Sequence, residues 1–363
     1  MTYFGDTSAT RNLGFRAMLA FIVAVLFGGI GAQPVRSQSP RANPGPLTSG
    51  PLTIVLPPRL VPGQPVTLAV TDADGKLVAG TTVELGSGDR VTTDRTGRAY
   101  FTAPATGGAF LVKGDNTSAA VLVDSSSSAN AKQPITVAPD VSLRDRFSIC
   151  GGGLRGDADA YQVTLNGEPG LVLAASPACV EVLAGAKAAP GPATISLEAG
   201  AAKWTANTSL VSLEFEPPQP ALLPGQRGKL TVHVRGSERK LDISVENGAP
   251  GVLQFLRGDI QRLQTSGGPQ NVAQIEVKAI RAGDFSFHAR LFSPPDAAAA
   301  RRFLQAAEPL AQVSLQPKIR KLSERLQHHP RDSAKVRQEL APMIAQTASG
   351  DLHTLLSAAE SAL

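Results

Sequence analysis

Between Leu52 and Phe292 the apolar residues alternate with polar ones for only a few positions at a time. Gly, Pro, Asn or Asp interrupts each run before a helical period is established. Val66, Leu68 and Val70 alternate with Thr67, Ala69 and Thr71, which is the two-residue period of a strand. The turn Asp72-Ala73-Asp74-Gly75 comes next, then Val83 and Leu85, Tyr100-Phe101, Phe110 to Val112, and Val121 to Val123. About six or seven short strands at this spacing predict a β-sandwich over 51–124. Composition supports the reading: 35 Gly and 28 Pro supply the breaks, and an apolar fraction of 42% is too high for a disordered chain. The glycines have no three-residue period, so collagen is excluded too. A length of 363 residues leaves room for about two to four domains.

The run Ser125–Ser128 marks a linker (125–134), and beyond it lie two further strand-rich blocks, 135–213 and 214–292. The third block opens PPQPALLPGQRGKLTVHV (217–234), echoing PPRLVPGQPVTLAV (57–70). In both, a Pro-Gly-Gln turn leads into an alternating strand, a weak internal repeat. After Pro294-Pro295 the character switches to helix over 296–363. Asp296 can cap the run AAAARRFLQAA. Ile319, Leu322 and Leu326 recur at helical spacing, as do Val336, Leu340 and Ile344, then Leu352, Leu355 and Leu356. Pro342 should kink or shorten the helix that contains it. The expected fold class is mainly β: tandem sandwiches with a C-terminal α-helical region (293–363).

The N-terminus bears on compartment. Residues 17–32, AMLAFIVAVLFGGIGA, are uncharged and come after Arg11 and Arg16, the pattern of an export signal over 1–32. Sixteen residues are short for a bilayer span, so cleavage near Ala32 is favoured over retention as an anchor. No Cys lies directly beyond this stretch, which excludes a lipoprotein anchor. Residues 33–50 are polar and Pro/Gly-rich, a flexible linker. The net charge of +5 falls to +4 without residues 1–32, which hold Arg11, Arg16 and Asp6. That excess is too small, and too poor in stacking aromatics, for nucleic-acid binding. Only Cys150 and Cys179 are present, fewer ligands than a metal site needs and an even count suited to an exported protein.

The run FSICGGGLRGDADAYQVTLNGEPG, with its continuation to Gly200, resembles an IPT/TIG immunoglobulin-like domain, placed over 135–213. The matching features are the Gly-rich turn at Gly151–Gly153, the hairpin Val163, Leu165, Asn166, Gly167, and Ala175-Ser176-Pro177 before a strand. Asn-Gly suits a hairpin turn that needs positive φ. Residues 51–124 are similar to bacterial Ig-like repeats through DADGKLVAGTTV (72–83) and TDRTGRAYFTAP (93–104). These resemblances imply stacked extracellular modules of bacterial type and no chemistry. They also imply a disulfide between Cys150 and Cys179. Phe147, Ile149, Val180 and Val182 take the core face by parity, the cysteines fall at strand ends or on the outer face, and the second and fifth strands of such a sandwich are neighbours.

No catalytic motif emerges. The histidines His233, His288, His328, His329 and His353 form no metal-binding spacing, and no nucleophile elbow or phosphate loop occurs. An EF-hand reading of Asp72-Ala73-Asp74-Gly75 would put ligands on Lys76 and Val83, so the segment reads as a turn. Arg155-Gly156-Asp157 and Arg257-Gly258-Asp259 are RGD tripeptides, and Asn116-Thr117-Ser118 and Asn207-Thr208-Ser209 are glycosylation sequons. The first would matter only on an exposed loop, the second only in a suitable host. Basic residues of the tail (Lys318, Arg320, Lys321, Arg325, Arg331, Lys335, Arg337) have acidic neighbours and read as a solvated face, or as a surface for anionic lipid.

The expectation is therefore a non-enzymatic, exported cell-envelope protein with no catalytic, metal-binding or cofactor-binding residues, acting in adhesion, spacing or binding of an extracellular protein or polysaccharide. Alternatives are a scaffold or assembly factor, or a carbohydrate-binding accessory of a secreted enzyme system. Ile319, Leu322, Leu326, Val336, Leu340 and Ile344 are the candidate partner-docking residues, unless the tail buries them as a hairpin on the third sandwich.

Overall fold

Alternating apolar residues build the first sandwich from eight strands: β1 (Thr53–Val55), β2 (Arg59–Leu60), β3 (Pro65–Thr71), β4 (Thr82–Leu85), β5 (Arg90–Thr92), β6 (Arg98–Thr102), β7 (Gly108–Lys113) and β8 (Ser118–Val123). The computed structural model describes residues 51–124, 133–216, 222–256, 258, 260–292 and 294–363. The expected export signal 1–32, the linker 33–50, the Ser125–Ser128 run, and Arg257 and Asp259 of the second RGD lie outside these residues. Strands β1, β3 and β6 share one sheet, and the facing sheet has the order β2-β8-β7-β4-β5. Val66, Leu68 and Val70 meet Phe101, Phe110, Val112 and Val121 between them. Asp72–Gly75 is a turn: the Asp72 carboxylate accepts from the Asp74 and Lys76 N–H groups at 3.0 and 2.9 Å.

The second sandwich comprises β9 (Thr136–Val137), β10 (Asp140–Ser142), β11 (Arg146–Cys150), β12 (Gln162–Leu165), β13 (Glu168–Pro169), β14 (Leu171–Ala175), β15 (Cys179–Leu183), β16 (Gly191–Ala199) and β17 (Ala202–Glu216). Asn166 and Gly167, at φ 50° and 86°, make the hairpin between β12 and β13. Phe147, Ile149, Val180 and Val182 face the core, as their parity predicts. Cys150 and Cys179 lie opposite each other on β11 and β15 and are bridged.

Strand β17 does not end with this sandwich. Its first part pairs with β16, and Ser212–Glu216 pairs with β18 (Arg227–Arg235) of the third sandwich. The boundary expected between 213 and 214 therefore falls inside one strand, because no Gly or Pro interrupts Ala202–Glu216. The remaining strands are β19 (Asp242–Asn247), β20 (Leu253–Phe255), β21 (Ile260–Gln264), β22 (Val272–Ala279) and β23 (Phe287–Leu291). They form the sheets β17-β18-β22-β20 and β21-β19-β23. The two Pro-Gly-Gln turns do equivalent work. Gln64 O accepts from Ala103 N, and Gln226 O from Ala279 N, each at 2.9 Å.

First and second sandwiches are also continuous. Thr67 of β3 pairs with Ala175 of β14, so the sheet runs β1-β3-β14-β15-β11-β9 across both. Val55, Ala69, Leu173 and Ala174 form a small apolar cluster at this junction.

Four helices complete the chain: α1 (Ala297–Ala307), α2 (Gln316–His328), α3 (Ser333–Gln346) and α4 (Asp351–Ser361). Asp296 caps α1 by accepting from Ala299 N at 2.9 Å. Pro342 lies inside α3, which continues to Gln346. The helices bury their apolar faces together and onto the first sandwich, the one most distant in sequence. Leu122 joins their core, and Ala109, Leu111 and Ala120 pack against it. These four residues form the outer face of β7 and β8, where Leu111 opposes Ala120 and Ala109 opposes Leu122. Lys113–Asp351 at 2.6 Å and Ser118–Thr354 at 2.6 Å border the seam. The helices also touch the third sandwich: the Arg262 and Arg337 guanidinium groups lie 4.3 and 4.6 Å from the Phe292 ring.

Candidate functional site

Where the first sandwich, the second sandwich and the helices converge, they leave a cleft of about 940 Å³. β1, β2 and β8 supply one wall, α1 and α4 another, and Arg146, Ser148 and Glu181 of β11 and β15 a third. The helical wall is made largely of small residues: Ala298, Ala299, Ser357, Ala358 and Ser361.

Charge in the cleft is arranged unevenly. Near the end of β2, Asp124 is shared by two guanidinium groups, Arg59 at 3.0 Å and Arg302 at 3.8 Å. Arg302 also donates to the Val123 carbonyl. One carboxylate thus faces two cations. At the other side Glu181 is only 5% exposed. Burial raises its pKa above the ordinary carboxylate value, opposed by a hydrogen bond from Ser148 and by the Arg146 charge 3.9 Å away. The sequence patterns single out none of these residues. A signal is nonetheless present, since Ala109, Leu111, Ala120 and Leu122 make β7 and β8 apolar on both faces, the mark of a sheet covered on both sides.

In the first RGD tripeptide Arg155 and Asp157 are exposed, while the central glycine is held in the junction between sandwiches. Gly156 is buried against β3, where an added Cβ would stand 1.7 Å from the Pro65 carbonyl oxygen. Thr67 Oγ1 donates to Gly156 O at 2.6 Å and accepts from Ala158 N at 3.1 Å. The tripeptide therefore clamps the second sandwich to the first. His233, between buried Val232 and Val234, is partly exposed and lies 2.6 Å from Glu216. Among the described residues no three His, Cys, Asp or Glu side chains are grouped to hold a metal ion.

The candidate docking stripes are corrected by their placement. Ile319, Leu322, Leu326, Val336 and Leu340 are buried in the helical core, and Ile344 packs against it. The five buried side chains meet one another and the first sandwich, and Ile344 is half-buried. The alternative hairpin on the third sandwich is corrected as well, because the main apolar seat is β7 and β8. Several tail cations are paired, Arg325 with Glu339 and Arg320 with Glu308, while Arg337 is buried beside Phe292. No helix among the described residues is long and apolar enough to cross a membrane.

No protein-family model matches the chain, and no curated protein matches it in sequence. Solved structures are similar to it over part of the chain. The full extracellular region of plexin A4 is 11% identical, covering 69% of this chain and 24% of its own, with a TM-score of 0.23. Invasin, a bacterial integrin-binding protein, is 14% identical, covering 67% and 57%, with a TM-score of 0.18. The Bacteroides ovatus SGBP-B of a mixed-linkage glucan utilization locus, in complex with a heptasaccharide, is 11% identical, covering 64% and 71%, with a TM-score of 0.22. This chain thus spans about a quarter of the plexin region and just over half of the invasin chain.

Proposed function

We propose that the protein is a non-catalytic, exported cell-envelope scaffold that receives a protein partner in the cleft between its first two sandwiches and its helices. The observation that carries this reading is the cleft itself. Three parts of the chain far apart in sequence converge on one cleft of about 940 Å³. Export rests on the Arg-flanked apolar stretch 17–32 and on the bridge that consumes both cysteines, since such bridges persist in oxidising compartments. Adhesion and spacing fit the same frame, because a shared strand and a continuous sheet hold the sandwiches stiffly in series. A polysaccharide ligand is the weaker choice: among the described residues Phe303 is the one Phe, Tyr or Trp side chain lining the cleft, and sugar sites rely on aromatic platforms.

A photo-activated cross-linker placed at Ser357, on the helical wall, tests the site. Irradiation in envelope preparations should yield a discrete protein adduct, and a cross-linker on exposed Lys318 of α2 should not. Adducts from Lys318 alone would move the binding surface to the outer helices and remove the cleft.

A further inference from the structure

We propose that the cleft binds its partner by strand addition: an extended peptide segment hydrogen-bonds to the open edge of β8, with an acidic residue at the end that abuts Arg59 and Arg302. This rests on the reading of the cleft as the binding site and specifies what enters it.

The edge is left open by chemistry visible in the sequence. Strand β2 runs parallel to β8 but pairs over two residues, Arg59 with Leu122 and Leu60 with Val123. Asp124 N donates to Leu60 O at 2.8 Å, so the even-numbered residues of this segment aim their peptide groups toward β2. The two-residue strand period then turns Ala120 and Ser118 the same way, into the space beyond β2. To continue the ladder, β2 would extend backward through Pro58 and Pro57, which have no N–H to donate. The chain instead leaves for β1 in the other sheet. Among the described residues, no strand pairs with the outward edge of Ser118–Val121. Thr117–Leu122, Pro57 and Pro58 all line the cleft.

An unpaired edge is a template for another strand, and natural proteins usually blunt it or cover it. Among the described residues no strand covers it here, and it opens into the cleft opposite a helical wall of Ala298, Ala299, Ser357, Ala358 and Ser361 with Phe303 and His353 among them. Peptide recognition by strand addition takes its affinity from backbone hydrogen bonds and its specificity from alternate side chains. Charge selects the occupant's end. Arg59 stands where the open edge stops and shares Asp124 with Arg302, two guanidinium groups to one carboxylate. An Asp or Glu side chain of the entering segment would meet them.

The probe is a nine-residue synthetic peptide of alternating threonine and valine with a terminal aspartate, added to the full chain. Backbone amide exchange is monitored by mass spectrometry. Exchange across 118–121 should slow at least five-fold at saturating peptide, and a copy N-methylated at alternate backbone positions should give no protection. Arg59→Gln should weaken binding of the aspartate peptide about ten-fold and leave that of its asparagine analogue unchanged. Equal protection by the methylated copy would overturn strand addition while leaving the cleft as a binding site. Absence of protection by either peptide at millimolar concentration would overturn it too. The cleft reading fails separately, on a cross-linker at Ser357 that captures nothing.

Discussion

A buried residue's neighbours decide what its chemistry is worth, and Glu181 and Thr67 illustrate this. Thr67 lies on a strand whose alternate positions are core, yet its hydroxyl holds the Gly156 loop of another sandwich. Its burial is a matter of hydrogen bonding across a junction, not of apolar packing. Glu181 is buried with one hydroxyl donor and one distant guanidinium. Its folded pKa lies above the unfolded carboxylate value of about 4.3. The folded state therefore binds this proton more tightly than the unfolded state does. The stabilisation is fully present below pH ~4.3 and is lost as pH rises through the raised folded value. Glu181→Gln cannot ionise and should keep the hydrogen bond from Ser148. Its melting temperature minus that of the natural protein should be near zero at acid pH and grow positive toward neutrality. A difference that shrinks with rising pH would show that Arg146 outweighs burial.

At the scale of elements, two devices hold the second sandwich together and to its neighbours. Strand β17 serves two sandwiches, so bending between them requires breaking a single strand's hydrogen bonds instead of flexing a linker. The Cys150–Cys179 bridge ties β11 to β15 with a sequence separation of 29. In the chain-entropy model a loop of that length stabilises by about 3–4 kcal/mol. The double variant Cys150→Ala, Cys179→Ala should lose stability of that order, read from its denaturation midpoint in urea. A midpoint equal to that of the natural protein would mean that strand pairing alone fixes this part of the sheet.

For the whole molecule, the consequential fact is that the C-terminal helices return to the N-terminal sandwich. Deleting residues 296–363 would expose Leu122, which is 5% exposed in the intact fold, with Ala109, Leu111 and Ala120 beside it. Uncovering a buried leucine forfeits roughly 1.5–3 kcal/mol. The shortened protein should melt lower, and amide protection should fall most across 108–123. Strands β18 and β22, nearer to the deletion in sequence, should keep theirs. Loss centred on β18 and β22 would place the helices' main seat on the third sandwich after all. The same deletion removes one wall of the cleft.

The elements themselves were legible in the sequence. Strand alternation, the Asn166-Gly167 hairpin, the repeated Pro-Gly-Gln turns, the Asp296 cap and the helical spacing of Ile319, Leu322 and Leu326 are local matters. Backbone sterics and short-range hydrogen bonds settle them within a few residues. The cysteine pairing was also within reach, through parity and the resemblance to an immunoglobulin-like domain. The cleft was not, nor were the junctions that make it. A period shows which face of an element must be buried, but apolar burial is non-directional and any complementary apolar surface satisfies it. The stripe of Ile319, Leu322 and Leu326 would have suited a partner protein as well as it suits the other helices and β7–β8. Only the tertiary structure, by pairing Thr67 with Ala175 and carrying β17 through two sandwiches, brings the helices within reach of that face. The same packing sets the open edge of β8 inside a cleft.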